Sequence, residues 1–318
     1  VIKVGLRFIF AQIPQTGTRQ GLIIKPVWSS WALNIIGSMS LRGMVAVDYT
    51  YSEEQVKLYL RKIGVSANAP PTLSLLTQLV RHHLCTFPFG ALNRIYFGVE
   101  VNSMDFQDIF DKLVIQGREG FCLEHNGLME HVLKRLGFKC FPTIARQFDH
   151  KKETRPLMMM EHWVLIVEID KTCYLVDVGY SNRGPTSPLP LDSTDSLPHR
   201  IIKDKVGYIL EIANQTGYRS LYAFTPQSFY PPDMDVINTY VCHSPHSLFR
   251  CHLLLTKYTP TGSIRLLDDL LVVTKGSTSE NIPLDSEKLR RDAIKSYFNI
   301  TLDPKNSETL PLCFGRPL

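Results

Sequence analysis

The sequence predicts an α+β protein in which helices come first, strands follow and the end is mixed. Three observations carry this. Between Ser52 and Leu136, apolar residues recur at helical spacing in four segments. After Gly137 they gather in short runs rich in β-branched and aromatic side chains, with turns between them. After Pro231-Pro232 helical and strand patterns alternate, and a helical pattern closes the chain.

Ser52 is placed to cap the first helix, with Glu53 and Glu54 in its first turn. Val56, Tyr59, Leu60 and Ile63 form its apolar face, and Gly64 stops it. Residues 73–84 give a second helix after Pro70-Pro71, 106–115 a third and 123–136 a fourth. Strands are expected at 138–147, 163–169 and 173–177, then at 201–212 and around 218–224. The Pro-rich stretch 185–198 reads as an exposed connector. Residues 234–241 read as a helix, 248–256 and 264–273 as strands, and 285–298 as a closing helix with acids early and basic residues after.

A chain of 318 residues with 44% hydrophobic content can bury a large core, in one large domain or two to three small ones. No apolar run approaches about 18 residues, so no transmembrane helix is expected. The seven cysteines are scattered and odd in number, which points to free thiols in a reducing, cytoplasmic setting. The net charge of +5 comes from the N-terminus. Residues 1–47 hold Lys3, Arg7, Arg19, Lys25 and Arg42 and no acid, which leaves 30 basic against 30 acidic residues. The body thus offers no electrostatic case for nucleic acid or anionic membrane. Residues 1–43 are expected to be a disordered leader or an upstream extension with the natural start at Met44, the alternative being an organelle transit peptide.

Chemistry concentrates at Cys122. A Gly-rich turn, Gly117-Arg118-Glu119-Gly120, delivers it to a helix start, where unpaired N–H groups and the macrodipole favour thiolate. Buried packing is the alternative for a free cysteine. His162 reads as a base for that thiol or as a structural histidine. Asp177 ends an apolar run, where it either orients His162 or caps the turn before Gly179. The cluster Cys242-His243-Ser244-Pro245-His246 with Cys251-His252 matches no usual zinc spacing, and no metal is assigned. His82-His83 read as a helix surface pair, and Met158-Met159-Met160 as a loop-to-strand apolar patch.

From about Tyr51 onward the chain resembles the arylamine N-acetyltransferases. Arg118 to Cys122 look like that family's Arg-Gly-Gly-x-Cys, and Val176-Asp177-Val178-Gly179-Tyr180 its Asp-x-Gly-Phe turn. Asp108-Ile109-Phe110-Asp111, Leu136-Gly137-Phe138, Gly184-Pro185-Thr186, Asn238-Thr239-Tyr240, Ser244 to Phe249 and Phe298 to Leu302 continue the likeness in order. The resemblance implies three parts: a helical bundle at 44–136 with Cys122, a β-barrel at 137–232 with His162 and Asp177, and an α/β lid at 233–318, on a cysteine-protease-like core. It implies ping-pong transfer of an acetyl group from acetyl-CoA, through Cys122, to an arylamine, arylhydrazine or N-hydroxyarylamine. His162 would shuttle the proton and Asp177 would hold it. Phe89, Phe148 and Tyr180 would line the acceptor slot, and Ser244 and Ser247 would meet coenzyme A. A monomer is expected.

Three departures stand out. Glu119 replaces a glycine, either raising the Cys122 pKa or pointing into solvent. Gly90-Ala91 replace the Glu-Asn after Pro-Phe. Met158 and Met159 replace a Thr-Gly near the coenzyme, which leaves malonyl-CoA open as the donor. A cysteine hydrolase with the same triad and a degenerate acyl-CoA-binding homologue are the other readings.

Overall fold

Helix α1, Glu53–Ile63, begins where Ser52 accepts a hydrogen bond from the Gln55 N–H and ends at a left-handed Gly64. These features belong to a computed structural model, which describes residues 50–66, 70–149, 156–194, 197–205 and 207–302. The expected leader, residues 1–43, lies outside them. The described residues form one compact unit.

Helix α2 (Leu73–Thr86), the short α3 (Asn93–Tyr96), α4 (Phe106–Phe110) and α5 (Cys122–Arg135) complete the helical region. A π-turn, Asp111–Ile115, carries α4 onward, so the expected third helix is present in two parts. Leu76, Leu79, Leu113, Leu128 and Val132 are wholly buried in the core between these helices. That core continues into the sheet through Leu165, Val167 and Val176, and so joins helices to strands.

Seven antiparallel strands form a nearly closed, barrel-like sheet in the order β5-β4-β3-β2-β8-β7-β6. They are β2 (Lys139–Phe148), β3 (Leu157–Ile169), β4 (Thr172–Val176), β5 (Leu189–Pro190), β6 (His199–Asp204), β7 (Gly207–Asn214) and β8 (Gly217–Phe224). Its two ends approach one another through the Ile201 N–H, which donates to the Ser193 carbonyl at 2.9 Å. A second sheet has the order β1-β9-β10-β11-β12. It is built from β1 (Phe89–Gly90), β9 (Leu254–Thr259), β10 (Gly262–Leu267), β11 (Leu270–Lys275) and β12 (Thr278–Pro283). Helices α6 (Pro231–His243), α7 (Leu248–Cys251) and α8 (Glu287–Phe298) accompany it.

Several sequence expectations are corrected. The single strand at 201–212 is a hairpin, β6–β7, and that at 264–273 is the hairpin β10–β11. In both, apolar runs flank a short turn that carries charged residues. Residues 248–256 begin as helix α7, whose turn is closed by the Cys251 N–H donating to the Ser247 carbonyl at 3.1 Å, and only then enter β9. The 185–198 connector is not wholly exposed. Pro185, Pro188 and Leu189 are buried, and β5 adds to the barrel by pairing with β4. Met158-Met159-Met160 lie within β3, which starts six residues earlier than expected.

The histidine pair also divides. His82 is exposed, while His83 is fully buried. His125 Nε2 faces the Pro88 carbonyl at 3.1 Å and must donate to it. His125 Nδ1 therefore accepts from His83 Nε2 at 2.8 Å, and His83 Nδ1 accepts from the Tyr59 hydroxyl at 2.9 Å. Burial holds both rings neutral, with the His125 pKa lowered to about 4 and that of His83 lowered as well. A depressed folded pKa means that the unfolded chain binds more protons below its own value of about 6.5. The stability that the neutral pair contributes is then present above about pH 6.5 and lost as pH falls toward 4. For His125 alone the expected loss is on the order of 3 kcal/mol. Urea unfolding between pH 7 and 4 measures it. In the double variant H83Q/H125Q this fall should flatten, and an unchanged slope would count against the chain of rings.

Candidate active site

Three elements converge on Cys122. It is the first residue of α5 and is 4% exposed. Its helix start is held from below by Glu124, whose carboxylate accepts from the Phe121 N–H at 3.1 Å and pairs with Lys112 at 2.7 Å. Cys122 Sγ lies 3.8 Å from the Glu161 carbonyl oxygen, next to His162 on β3. The Asp177 turn follows β4, the antiparallel neighbour of β3.

His162 and Asp177 are both buried, and His162 Nε2 stands 2.7 Å from Asp177 Oδ2. Burial opposes charge on His162, but the Asp177 carboxylate and a hydrogen bond with Cys122 outweigh it and raise its pKa to about 10. Burial likewise opposes charge on Asp177. There the His162 charge, its hydrogen bond, the Asn126 amide and the Gly179 N–H prevail and lower its pKa. Geometry and charge agree on an imidazolium held by the Asp177 carboxylate, on the strand that faces Cys122.

The sequence reading missed what fixes this pair. Asn126, one turn after Cys122 on α5, donates to Asp177 Oδ1 at 3.0 Å and to the Trp163 carbonyl at 2.6 Å. It accepts from the Val178 N–H at 2.9 Å. One wholly buried amide thus ties the nucleophile helix to both β3 and the Asp177 turn. Tyr222 on β8 donates to Asp177 Oδ2 at 2.9 Å, and the Gly179 N–H to Oδ1 at 2.9 Å. With four donors the buried carboxylate is fully satisfied. The i,i+4 spacing of Cys122 and Asn126 was the available signal for Asn126; Tyr222 had none.

Gly179 lets the turn reach the helix. A Cβ there would lie 2.7 Å from Cys122 Cα and 3.0 Å from the Cys122 carbonyl oxygen, both backbone atoms that cannot swing aside. Gly179→Ala is expected to destabilise the fold by about 2 kcal/mol and to lower turnover more than tenfold by displacing the thiol. Thermal melting and initial rates check this; wild-type values for both would contradict the close approach.

The other predicted residues fall unevenly. Phe89 packs in the cluster that holds Cys122 and Phe121. The Tyr180 ring meets the His162 ring edge-on at 5.0 Å. Phe148, half-buried, pairs with Leu157 at the far end of β2, three residues beyond Ala145, the cross-strand partner of His162. Ser244 closes α6 and Ser247 caps α7. Phe249 of α7 packs on Phe89 and Phe121 at 5.8 and 5.6 Å, which brings this segment to the same cluster.

Glu119 does not point into solvent: it is 0% exposed, pairs with Arg118 at 3.2 Å and accepts from the Leu92 N–H at 3.1 Å. Gly90 packs so closely on β9 that a Cβ would lie 2.1 Å from the Leu254 carbonyl oxygen. The glutamate expected there has no room, and Glu119 supplies a carboxylate nearby. His252 Nδ1 contacts Asp268 at 2.7 Å, and Cys242 Sγ lies 3.3 Å from Asn238 Oδ1. Among the described residues no group of three or more ligating side chains converges.

A family model described as N-acetyltransferase matches residues 72–307. The arylamine N-acetyltransferase of Mycobacterium tuberculosis is 33% identical over 252 residues, 77% of this chain and 88% of the relative. The chain belongs to the arylamine N-acetyltransferase family. Its fold is that of the family: the solved M. tuberculosis structure matches with a TM-score of 0.72 over 77% of this chain and 92% of that one. The M. marinum arylamine N-acetyltransferase in complex with CoA is 28% identical, with a TM-score of 0.71, over 77% of this chain and 92% of that one. A Fusarium pseudograminearum N-malonyltransferase is 25% identical over 280 residues, 75% of this chain and 82% of the relative. The chain is an acetyltransferase, which sets the hydrolase reading aside.

Proposed function

We propose that the chain transfers an acetyl group from acetyl-CoA to an arylamine, an arylhydrazine or an N-hydroxyarylamine through an acetyl-cysteine at Cys122. The observation that carries this is the buried His162–Asp177 pair set against a cysteine at a helix start. His162 takes the thiol proton, and Asp177 stabilises the imidazolium that forms. The thiolate attacks the thioester carbon, and the adjacent backbone N–H groups stabilise the oxyanion. The C–S bond to coenzyme A breaks, and the departing thiolate receives the proton from His162. An acceptor nitrogen or oxygen then attacks the acetyl-cysteine, His162 accepts its proton, and the Cys122 thiolate is restored.

Phe89, Phe148 and Tyr180 are proposed to line the acceptor slot, and Ser244 and Ser247 to contact coenzyme A. Phe249, packed on Phe89 and Phe121, supports the second assignment. The division at 44–136, 137–232 and 233–318, a monomeric state and a cytoplasmic location belong to the same proposal. Among the described residues no helix is long and apolar enough to cross a membrane. A second reading, malonyl-CoA as donor, is favoured by the Fusarium relative.

Initial rates with acetyl-CoA and an anisidine, each varied at several fixed levels of the other, test the two-step scheme. Parallel double-reciprocal lines are expected. Lines that converge would mean a ternary complex and no acyl-enzyme.

A further inference from the structure

One face of the five-stranded sheet looks toward the nucleophile. In the antiparallel register Phe89 is opposite Thr256 and Thr256 opposite Arg265, so these three side chains share a face. Leu254 and Leu267 form a cross-strand pair on the same face, and both pack in the cluster that holds Cys122, Phe121 and Phe89. The opposite face, with Leu253, Leu255 and Leu266, is covered by α3 and α8. Arg265 is therefore on the active-site side of the sheet, one position along from Leu267 on that face.

The turn after Asp177 closes on the same strand. Ser181 Oγ donates to Thr256 Oγ1 at 3.1 Å. The Tyr258 hydroxyl donates to the Gly184 carbonyl at 3.0 Å, and His199 Nε2 to the Arg183 carbonyl at 2.8 Å. The backbone on both sides of Arg183 is thus pinned against β9, across from Arg265. Burial and then the Arg183 charge lower the Arg265 pKa, so the charge on this turn reaches Arg265. Among the described residues neither side chain has a hydrogen bond or an ion pair. Two like charges brought together without an acid repel, and an anion between them would reverse that.

We propose that Arg183 and Arg265 form an oxyanion site on the active-site side of this sheet that takes a carboxylate or phosphate carried by the acyl donor. It rests on Cys122 being acylated by a coenzyme A thioester. Two parts of such a donor have this chemistry: the phosphates of the coenzyme, and the free carboxylate of a dicarboxylic acyl group such as malonyl. Guanidinium forks suit either one.

The test uses R183Q, R265Q and the double variant in the full chain, with one fixed arylamine and three donors. These are acetyl-CoA, malonyl-CoA and S-acetylpantetheine, which has neither phosphate nor carboxylate. The expected result is a fall of about tenfold per arginine in kcat/KM for an oxyanion-bearing donor, with S-acetylpantetheine unchanged. Equal falls for both coenzyme A donors assign the site to phosphate, and a fall confined to malonyl-CoA assigns it to the acyl carboxylate. No change with any donor, or the same fall with all three, overturns the proposal. Both side chains reach the surface, so the variants are expected to melt as wild type does. If no donor acylates wild-type Cys122, it is the acyl-transfer reading that fails. Calorimetry with coenzyme A and with malonate then decides the site: weaker binding of either by the variants supports it, and unchanged binding of both overturns it.

Discussion

Cys122→Ala is expected to lower acetyl transfer at least about 10,000-fold while leaving the fold intact. The sulfur is the only heavy atom the change removes, and the small space it leaves lies in a buried cluster. Loss of activity should therefore come with a melting temperature near that of wild type. The two cysteines of the barrel cannot take over. Cys140 and Cys173 sit at the β2–β4 side of the barrel, and burial pushes the Cys140 thiol up to about 12. Initial rates of arylamine acetylation with the purified variant provide the check. Turnover within a hundredfold of wild type would remove Cys122 from the mechanism.

Asp177→Asn is expected to cost about 1,000- to 10,000-fold in kcat/KM. The neutral amide can still meet Tyr222 or the Gly179 N–H, but it no longer stabilises a charged ring. His162 then loses the cause that raises its pKa, while the burial that lowers it remains. The sign follows. With Asp177 present the imidazolium persists to about pH 10, and without the carboxylate it gives up its proton at lower pH. The alkaline limb of the pH–rate profile should move to lower pH in D177N. A drop in rate with an unmoved limb would mean that Asp177 serves packing alone. Asn126→Ala would then be the better probe, since it loosens the same carboxylate without touching its charge.

The parts of this molecule that were legible in the sequence are those set by near neighbours. Helix α1 carries its own cap, period and stop within thirteen residues, and the chain follows them. Helix α5 was legible because a Gly-rich turn precedes an apolar period, and the same turn pointed to Cys122. The hairpins were not, because their turns carry only two or three charged residues between apolar runs, without an Asn-Gly or Asp-Gly pair to mark them. Helix α7 has one turn, too short for a period to show.

The site divides in the same way. Cys122, His162 and Asp177 each had a local signature. The residues that hold them do not, since Asn126 and Tyr222 reach Asp177 across 51 and 45 positions. Glu119 is the clearest case. Beside a nucleophile a carboxylate reads as a perturbing charge, yet Arg118 and the Leu92 N–H absorb it within the protein. Only the packed chain shows that Gly90 and Glu119 belong to one arrangement.

The central claim is that Cys122 carries the acyl group. Intact-protein mass spectrometry after mixing with acetyl-CoA tests it most directly. A single acetyl adduct is expected on the wild type, absent in C122A and discharged when an anisidine is added. A wild-type protein that stays unmodified by acetyl-CoA and by malonyl-CoA, with a thiol that still reacts with iodoacetamide, would contradict it.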